Sequence, residues 1–337
     1  MSNYAYVATR ARSRRSRLLP AEAYNQLLNL EHAEIARYIQ DLEYRREIDR
    51  YGSTLSGADL IETALVDNLA KDIGDFLSFS KGKLRDILHV YAEKYRVDNL
   101  KNIIRGINQN MDRQNLERLV CPINDSDKDL YSKLYDSKTV EDVISSLEGT
   151  SYYNPLKKAL ESRNSDSLQP LEDTLDLIYY RNLVSNQPSG GADVEVYRNF
   201  VQLKVDIANI NTLLRLRHRG IGSHDELLIS GGTLATDLLA STQSLEDLLS
   251  SLEGTKYFEL LEPHLKPDSV DLNSCVHSLD EYMAKKTKRF SYLYPLSVLP
   301  VLDYLLKKER EVYNLRAIVR GKQAGLANDI IEELVVV

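Results

Sequence analysis

Apolar side chains recur along this chain mostly at spacings of three and four residues, the period of one face of an α-helix. The clearest such run contains Leu60, Ala64, Leu65, Leu69, Ile73, Phe76 and Leu77. The same pattern predicts helices over residues 4–18, 33–48, 84–105, 192–217, 303–320 and 328–334. Sustained alternation of apolar and polar residues, which would indicate strands, is scarce. The sequence therefore predicts an all-α fold.

Signals for the helix ends accompany this pattern. Ser56, with Asp59 three residues later, predicts an N-terminal cap for the helix that carries the long apolar run. Gly106 and Gly321 directly follow two predicted helices, and Gly220 and Gly222 close a third. Glycine is common just beyond a helix, so we expect the helices to end at these positions.

One heptad occurs three times. It is Asn99-Leu-Lys-Asn-Ile-Ile-Arg105, then Asn209-Ile-Asn-Thr-Leu-Leu-Arg215, then Asn314-Leu-Arg-Ala-Ile-Val-Arg320. The copies lie 110 and 105 residues apart. A near-constant period of this length indicates that one helical unit of about a hundred residues, an ordinary domain size, was made three times.

Two further elements repeat with a similar period. Val140-Glu-Asp-Val-Ile-Ser-Ser-Leu-Glu-Gly-Thr150 returns as Leu245-Glu-Asp-Leu-Leu-Ser-Ser-Leu-Glu-Gly-Thr255, and the diverged stretch 34–44 is its counterpart in the first copy. Tyr152 thereby corresponds to Tyr257 and to Tyr44. The third element begins at Leu60, Leu171 and Leu279, with acidic residues following each leucine. Because the order of the elements is constant, we predict three similar helical domains over residues 1–110, 111–221 and 222–337.

The heptad has a structural and a functional interpretation. Leu100, Ile103 and Ile104 share one side of the helix, while the arginine lies nearly opposite, in a last turn whose carbonyl ends favour a cation. The asparagine is a poor interior helix residue and is expected to bond an adjacent helix end. In the functional interpretation, Arg105, Arg215 and Arg320 form a pseudo-symmetric set that faces a shared partner.

Composition is that of a soluble globular protein: of 337 residues, 43% are hydrophobic and 28% charged. The net charge of −7 argues against a general nucleic-acid binder, which needs a basic surface. Locally, Arg10, Arg12, Arg14, Arg15 and Arg17 place five positive charges within eight residues. These could form an arm for nucleic acid or lipid headgroups, although a helix whose arginines face solvent or an acidic partner is favoured.

The candidate motifs for chemistry each fail on residue type. Gly52-Ser-Thr-Leu-Ser-Gly57 has phosphate-loop spacing, but Ala58-Asp59 follows where lysine and a hydroxyl residue are needed. His218 and His224 straddle two glycines, a poor frame for a metal site. Cys121 and Cys275 are expected to be buried, reduced thiols. We predict no catalytic residues, no metal and no cofactor.

These features together resemble a known family. The three heptads, Tyr4-Ala-Tyr6 before an arginine-rich helix, and the final Arg320-Gly-Lys-Gln-Ala-Gly-Leu326 are similar to the C subunit of archaeal and bacterial A-type/V-type rotary ATPases. The eukaryotic counterpart is the V-ATPase d subunit. In copy two the glycine is delayed from directly after Arg215 to Gly220, which departs from the other copies.

The resemblance implies three similar helical domains in a pseudo-threefold funnel. It also implies a non-catalytic rotor subunit at the cytoplasmic face of the membrane, joining the proteolipid ring to the D and F subunits of the central shaft. Torque would pass through it during ATP synthesis or ATP-driven proton or sodium transport, with no nucleotide bound by the chain itself. The absence of a signal-peptide pattern at Met1-Ser-Asn-Tyr4 agrees with a cytoplasmic location.

Two other functions remain open at this point. One is a helical-repeat scaffold for protein partners unrelated to ATPases, which the high tyrosine content, 21 residues with no tryptophan, would suit. The other is a helical enzyme with an unrecognised site, which turnover by the isolated chain would support.

Overall fold

The computed structural model of this chain describes residues 2–161, 167–188, 190–222, 225–266 and 269–336. Its α-helices are α1 Tyr4–Arg15, α2 Ala21–Leu27, α3 His32–Gln40, α4 Arg45–Tyr51, α5 Gly57–Phe79, α6 Lys83–Asn108, α7 Arg113–Leu119, α8 Asp125–Leu134, α9 Val140–Ser145, α10 Tyr153–Glu161, α11 Gln169–Ser185, α12 Ala192–His218, α13 Thr236–Ala240, α14 Leu245–Ser251, α15 Lys256–Leu261, α16 Leu272–Leu293, α17 Leu299–Gln323 and α18 Asn328–Leu334. The strands are β1 Leu265–Lys266 and β2 Ser269–Val270, an antiparallel pair. The all-α prediction is confirmed.

Contacts divide the chain into two compact units. The first contains residues 1–168 and 300–337, and the second contains residues 169–299. In the first unit, Phe76 of α5 packs against Tyr304 of α17 with ring centroids 5.4 Å apart. In the second unit, α16 and α14 both pack against α12. The division into three similar domains, and the funnel that the resemblance implies, stay predictions.

One predicted helix, over residues 33–48, is wrong as a single element. The chain forms α3 and α4 with a turn at residues 41–44 between them. The turn ends at Tyr44, whose side chain is buried and donates a hydrogen bond to Glu311 of α17. The tertiary contact of Tyr44 therefore accompanies a break that periodicity alone does not reveal. At the amino terminus, α1 ends at Arg15 rather than at residue 18.

The predicted cap at Ser56 is also wrong in its chemistry. Ser56 does occupy the N-terminal cap position of α5, but its side chain makes no capping hydrogen bond. Asp59 instead forms ion pairs with Arg118 at 3.0 Å and with Arg320 at 3.3 Å. The carboxylate that would complete a capping box is thus held by arginines from α7 and α17.

Gly106 and Gly321 do not end their helices. Both lie inside α6 and α17, which continue to Asn108 and Gln323. A β-carbon at Gly106 would stand 2.3 Å from the side chain of Leu116, and one at Gly321 would stand 2.7 Å from that of Ile331. Each glycine therefore allows the short helix that follows, α7 or α18, to pack closely against the long one.

The three long helices α6, α12 and α17 all end with the same hydrogen-bonded arrangement. The amide of Met111 donates to the carbonyl of Gly106, that of Ile221 to Leu216, and that of Leu326 to Gly321, at 2.9–3.0 Å. The residue before each donor has a positive φ: 56° at Asn110, 65° at Gly220 and 72° at Gly325. This is the Schellman arrangement, which needs a left-handed residue. The prediction that Gly220 closes α12 is confirmed.

Candidate functional site

The repeated asparagine has the same two hydrogen bonds in every copy. The Nδ2 of Asn99, Asn209 and Asn314 donates at 2.8 Å to the backbone carbonyls of Cys121, Ile229 and Val336 respectively. The amides of those same three residues donate back to the asparagine Oδ1 at 2.8–2.9 Å. We call this pair of bonds the asparagine clamp. Its target lies two residues beyond the end of a short helix, which is α7 in the first case, the 3₁₀-helix Asp225–Leu227 in the second and α18 in the third. This confirms the expected bond near a helix end.

The clamp explains why asparagine occupies an unfavourable helix position. All three asparagines are buried, and so are Cys121 and Ile229. A buried backbone amide and carbonyl must find partners, because leaving each one unpaired costs about 1–3 kcal/mol. Asparagine presents one donor and one acceptor at the end of a short side chain, so it can satisfy both groups of a single residue.

A buried tyrosine of the second element contacts a carboxylate on a long helix in every copy. Tyr44 donates to Glu311 at 2.5 Å, Tyr257 donates to Asp206 at 3.0 Å, and Tyr152 donates to Glu93. Asp206 and Glu311 stand three residues before the clamp asparagines of their helices, whereas Glu93 stands six before Asn99. Each tyrosine therefore reaches the long helix of the preceding copy, and Tyr44 of the first copy reaches that of the last.

Burial and the nearby carboxylates alter the acidity of these groups. Burial, followed by the negative charge of Glu311, raises the pKa of Tyr44 well above its ordinary value. The pKa of Tyr257 is raised by burial and then by Asp206. Burial also raises the pKa of Glu93, which Arg96 partly opposes. Tyr44 and Tyr257 therefore stay protonated and act as hydrogen-bond donors.

A buried lysine completes the contact between the two ends of the chain. Lys308 Nζ donates to the Tyr44 hydroxyl at 2.7 Å and to Glu311 Oε1 at 3.1 Å, and lies 4.0 Å from the centroid of the Tyr44 ring. The amide of Leu19 donates to the other oxygen of Glu311 at 2.6 Å. A charge this deeply buried is tolerated only when it is paired and hydrogen-bonded.

The second element begins with the same cap in every copy. Capping boxes join Glu31 with Glu34, Thr139 with Asp142, and Ser244 with Asp247. Hydrogen bonding at the cap, from Thr139 first, lowers the pKa of Asp142. The first copy, whose sequence has diverged most, therefore keeps the local structure of the other two.

The three heptad arginines have different surroundings. Arg105 is an exposed residue of α6, Arg215 is half-buried on α12, and Arg320 is an exposed residue of α17. Arg215 pairs with Asp173 at 2.8 Å, and Arg320 pairs with Glu62 and Asp59. Hydrogen bonding to Glu62 raises the pKa of Arg320. A shared partner for the set stays a prediction, and the first two arginines belong to different units.

The acids that receive Arg215 and Arg320 occupy equivalent positions. Glu62 stands two residues after Leu60, and Asp173 stands two residues after Leu171, the leucines that begin the third repeated element. Glu62 is buried and lies between Arg320 and Arg316, which is 3.4 Å away. The pairings differ, because Arg215 and Asp173 lie in the same copy whereas Arg320 of the third copy binds Glu62 of the first. Both arginines nevertheless have structural partners inside the chain.

The arginine-rich amino terminus is largely engaged within the first unit. Arg14 pairs with Asp72 at 2.6 Å and with Asp75 at 2.5 Å. Arg15 pairs with Asp303 at 2.7 Å, and Arg17 pairs with Glu43 at 3.0 Å. Arg10 stacks over the ring of Phe79, 4.2 Å from its centroid. The favoured interpretation, arginines that face solvent or an acidic partner, needs correction, because the acids that Arg14, Arg15 and Arg17 meet belong to the same chain.

The two cysteines are weakly acidic thiols inside the protein. Burial raises the pKa of the Cys121 thiol to about 12 and that of Cys275 to about 11, and both thiols are free and buried. Of the two histidines with metal-like spacing, His224 lies outside the described residues. Among the residues that are described, no group of three or more His, Cys, Asp or Glu side chains could hold a metal ion.

Comparison with known proteins identifies the family. The model of the ATP synthase (C/AC39) subunit family matches residues 7–334. The chain belongs to this family. It is 36% identical over 342 residues to the C subunit of the A-type ATP synthase of Haloferax volcanii, covering 99% of this chain and 98% of that protein. The corresponding C subunits of Archaeoglobus fulgidus and Methanosarcina mazei are 33% and 32% identical, covering 99% and 100% of this chain and 96% and 93% of theirs.

The contacts of this ATP synthase family member include residues that sequence reasoning missed. Lys308, Glu311 and Asp206 received no role from the sequence, although Asp206 and Glu311 both stand three residues before a repeated asparagine. That spacing could have identified them. The first copy hides the pattern, because Arg96 occupies the corresponding position and Glu93 supplies the carboxylate instead.

The helices of the described residues do not have the character of membrane spans. None of them combines the length and the apolar composition that crossing a bilayer requires.

Proposed function

We propose that this chain is a non-catalytic rotor subunit of an A-type/V-type ATP synthase, and that it joins the central shaft to the membrane proteolipid ring. Its partners are then the D and F subunits of the shaft on one side and the ring on the other, at the cytoplasmic face of the membrane. Its work is mechanical: it passes torque between the soluble catalytic head and the ion-carrying ring. Membership of the ATP synthase (C/AC39) subunit family over residues 7–334 is the observation that carries the proposal.

The repeated contacts suit a mechanical role. A coupling that twists elastically stores energy instead of passing it on. Stiffness is therefore the property that this role requires. Closely packed helices resist deformation, and satisfied buried polar groups hold a single arrangement. The asparagine clamps fix the chain beyond a short helix in every copy, and the tyrosine–carboxylate contacts fix the second element on a long helix.

Removing the subunit from the assembled enzyme tests this role. We expect membranes whose ATP synthase lacks this chain to retain ATP hydrolysis by the head while losing ATP-driven ion transport. Adding the purified chain back should restore transport. If membranes without this chain also lose ATP hydrolysis, the chain contributes to catalysis. If their ATP-driven ion transport is unaltered, the coupling role is contradicted.

The heptad arginines provide a narrower test of shaft binding. If acidic surface on the shaft docks against Arg105, Arg215 or Arg320, reversing all three charges should weaken binding at low salt, where surface charges are least screened. The matched control reverses three exposed cations elsewhere, Arg12, Lys138 and Lys266.

Because Arg215 and Arg320 pair with internal acids, thermal unfolding of each variant must be measured alongside. Unchanged shaft binding by a folded triple variant would remove the docking hypothesis. It would leave the coupling role to be judged by ion transport.

A further inference from the structure

The carboxyl-terminal half of α16 carries a dense cluster of cations. Lys285, Lys286, Lys288 and Arg289 supply four positive charges within five residues. Lys285, Lys288 and Arg289 are exposed and, together with Tyr292, recur at helical spacings of three and four, which puts them on one face. In the part of the chain that the structure describes, Lys288 and Arg289 form no ion pair, whereas Lys285 pairs with Glu281. The solvent-facing side of this segment is therefore positively charged.

Apolar side chains are exposed immediately beyond these cations. Leu293 is 60% exposed and Leu296 63%, and Tyr292 and Tyr294 are also exposed. Pro295 lies between Tyr294 and Leu296 along the chain. Large apolar side chains that are exposed together, rather than singly, indicate a surface that meets an apolar phase or a partner. We call residues 285–296 the basic–apolar tip.

The turn that holds these side chains is well ordered by hydrogen bonds. The amide of Tyr294 donates to the carbonyl of Phe290 at 2.9 Å, which closes the last turn of α16. Ser297 is buried, and both its amide and its hydroxyl donate to the carbonyl of Tyr294, at 3.2 Å and 2.7 Å. The apolar side chains are thus presented by a fixed backbone.

The repeated architecture does not require an apolar turn here. The connection between α11 and α12, which stands at the corresponding point of the second copy, has the sequence Asn186-Gln-Pro-Ser-Gly-Gly191 and carries no large apolar side chain. Joining two long helices can therefore be done with polar residues. The tyrosines and leucines of residues 292–296 are an addition specific to the third copy.

We propose that the basic–apolar tip binds the surface of a membrane that contains anionic lipids. Lysine and arginine on the exposed helix face meet the headgroup phosphates, and Tyr292, Leu293, Tyr294 and Leu296 enter the interfacial layer. Cations beside tyrosines and leucines are the combination that interfacial segments use. The apolar part is small, so attachment requires both the attraction of the cations to anionic headgroups and the burial of the apolar side chains. Such attachment is reversible. The proposal uses only residues of the second unit and does not depend on the proposed coupling role.

The test is co-sedimentation of the full chain with vesicles. We expect binding to vesicles of phosphatidylcholine mixed with phosphatidylglycerol, little binding to phosphatidylcholine alone, and a loss of binding as salt is raised. In K288E/R289E the partition coefficient should fall roughly twentyfold or more, because each surface cation contributes about fivefold. L293S/L296S should weaken binding to the same vesicles without altering its salt dependence.

Matched controls change the same residue types elsewhere. K157E/K158E reverses two adjacent exposed lysines of α10, and L238S/I330S replaces two exposed apolar residues. Both controls should bind like the native chain. All substituted positions are on the surface, and far-ultraviolet circular dichroism confirms that each variant is folded.

Two results would overturn the proposal. The first is failure of the native chain to bind anionic vesicles, and the second is equal binding by K288E/R289E and the native chain. If the native chain fails to bind vesicles and K288E/R289E loses binding to other ATP synthase subunits, the tip is assigned to an acidic protein surface instead.

Discussion

The hydroxyl of Tyr44 donates a hydrogen bond of 2.5 Å to Glu311, a residue 267 positions further along the chain. Lys308 contacts both groups, and the amide of Leu19 binds the second oxygen of Glu311. The first 51 residues therefore supply to the last long helix the contact that Tyr152 and Tyr257 supply to the two earlier ones.

Removing the carboxylate of Glu311 should be strongly destabilising. In E311L the Lys308 ammonium keeps its burial but loses its counter-charge, which typically costs about 3–5 kcal/mol. Urea unfolding of the variant and of E333L, an exposed glutamate of α18, measures the difference. The double variant K308M/E311L should regain most of the stability, since it removes both buried charges. Equal unfolding midpoints for E311L and E333L would contradict the role of this contact.

The asparagine clamp predicts a large effect from a small substitution. N209A leaves the amide and the carbonyl of Ile229 buried without partners, so we expect a loss of about 2–4 kcal/mol in the free energy of unfolding. N99A should behave alike, whereas N314A should cost less, because Val336 is only half-buried and water can partner its backbone groups. N273A, at an exposed position of α16, is the control and should stay within about 0.5 kcal/mol of the native chain. A loss confined to one asparagine would argue against equivalent copies.

The close packing at Gly106 can be tested by a double-mutant cycle. G106A introduces a β-carbon 2.3 Å from Leu116 and should cost about 1–3 kcal/mol through overpacking. Shortening the neighbour relieves the clash, so the same change should cost much less in an L116A background. Thermal unfolding of the four proteins gives the coupling energy. Additive effects would show that the glycine serves something other than close contact with α7.

Alkaline pH should reveal the buried tyrosines. The pKa values of Tyr44, Tyr257 and Tyr304 are raised by burial and then by neighbouring carboxylates. A raised native pKa adds stability that is complete below the unfolded value, about 10, and is lost as pH rises through the native value. We expect tyrosinate absorbance to increase in two phases, with the buried group ionising only on unfolding. A single titration of all tyrosines near pH 10 with the fold intact would contradict this burial.

The all-α fold and the family could be predicted from the sequence, because helical periodicity and short motifs are local properties. Prediction failed where a distant residue decides local structure. The turn at residues 41–44 accompanies the contact of Tyr44 with Glu311, and Asp59 pairs with Arg118 and Arg320 instead of completing a cap. The predicted helix ends at Gly106 and Gly321 are wrong. These glycines instead make room for Leu116 of α7 and Ile331 of α18, and neither residue belongs to the repeated heptad from which the prediction was made.

Rotation of this chain relative to the catalytic head tests the central claim most directly. Cys121 and Cys275 are buried with raised pKa values, so a cysteine introduced at exposed Ser53 can be labelled selectively. A bead is attached there in an assembled ATP synthase whose head is fixed to a surface. The account predicts that the bead turns in one direction while ATP is hydrolysed. A bead that stays still while the central shaft of the same complex rotates would contradict it.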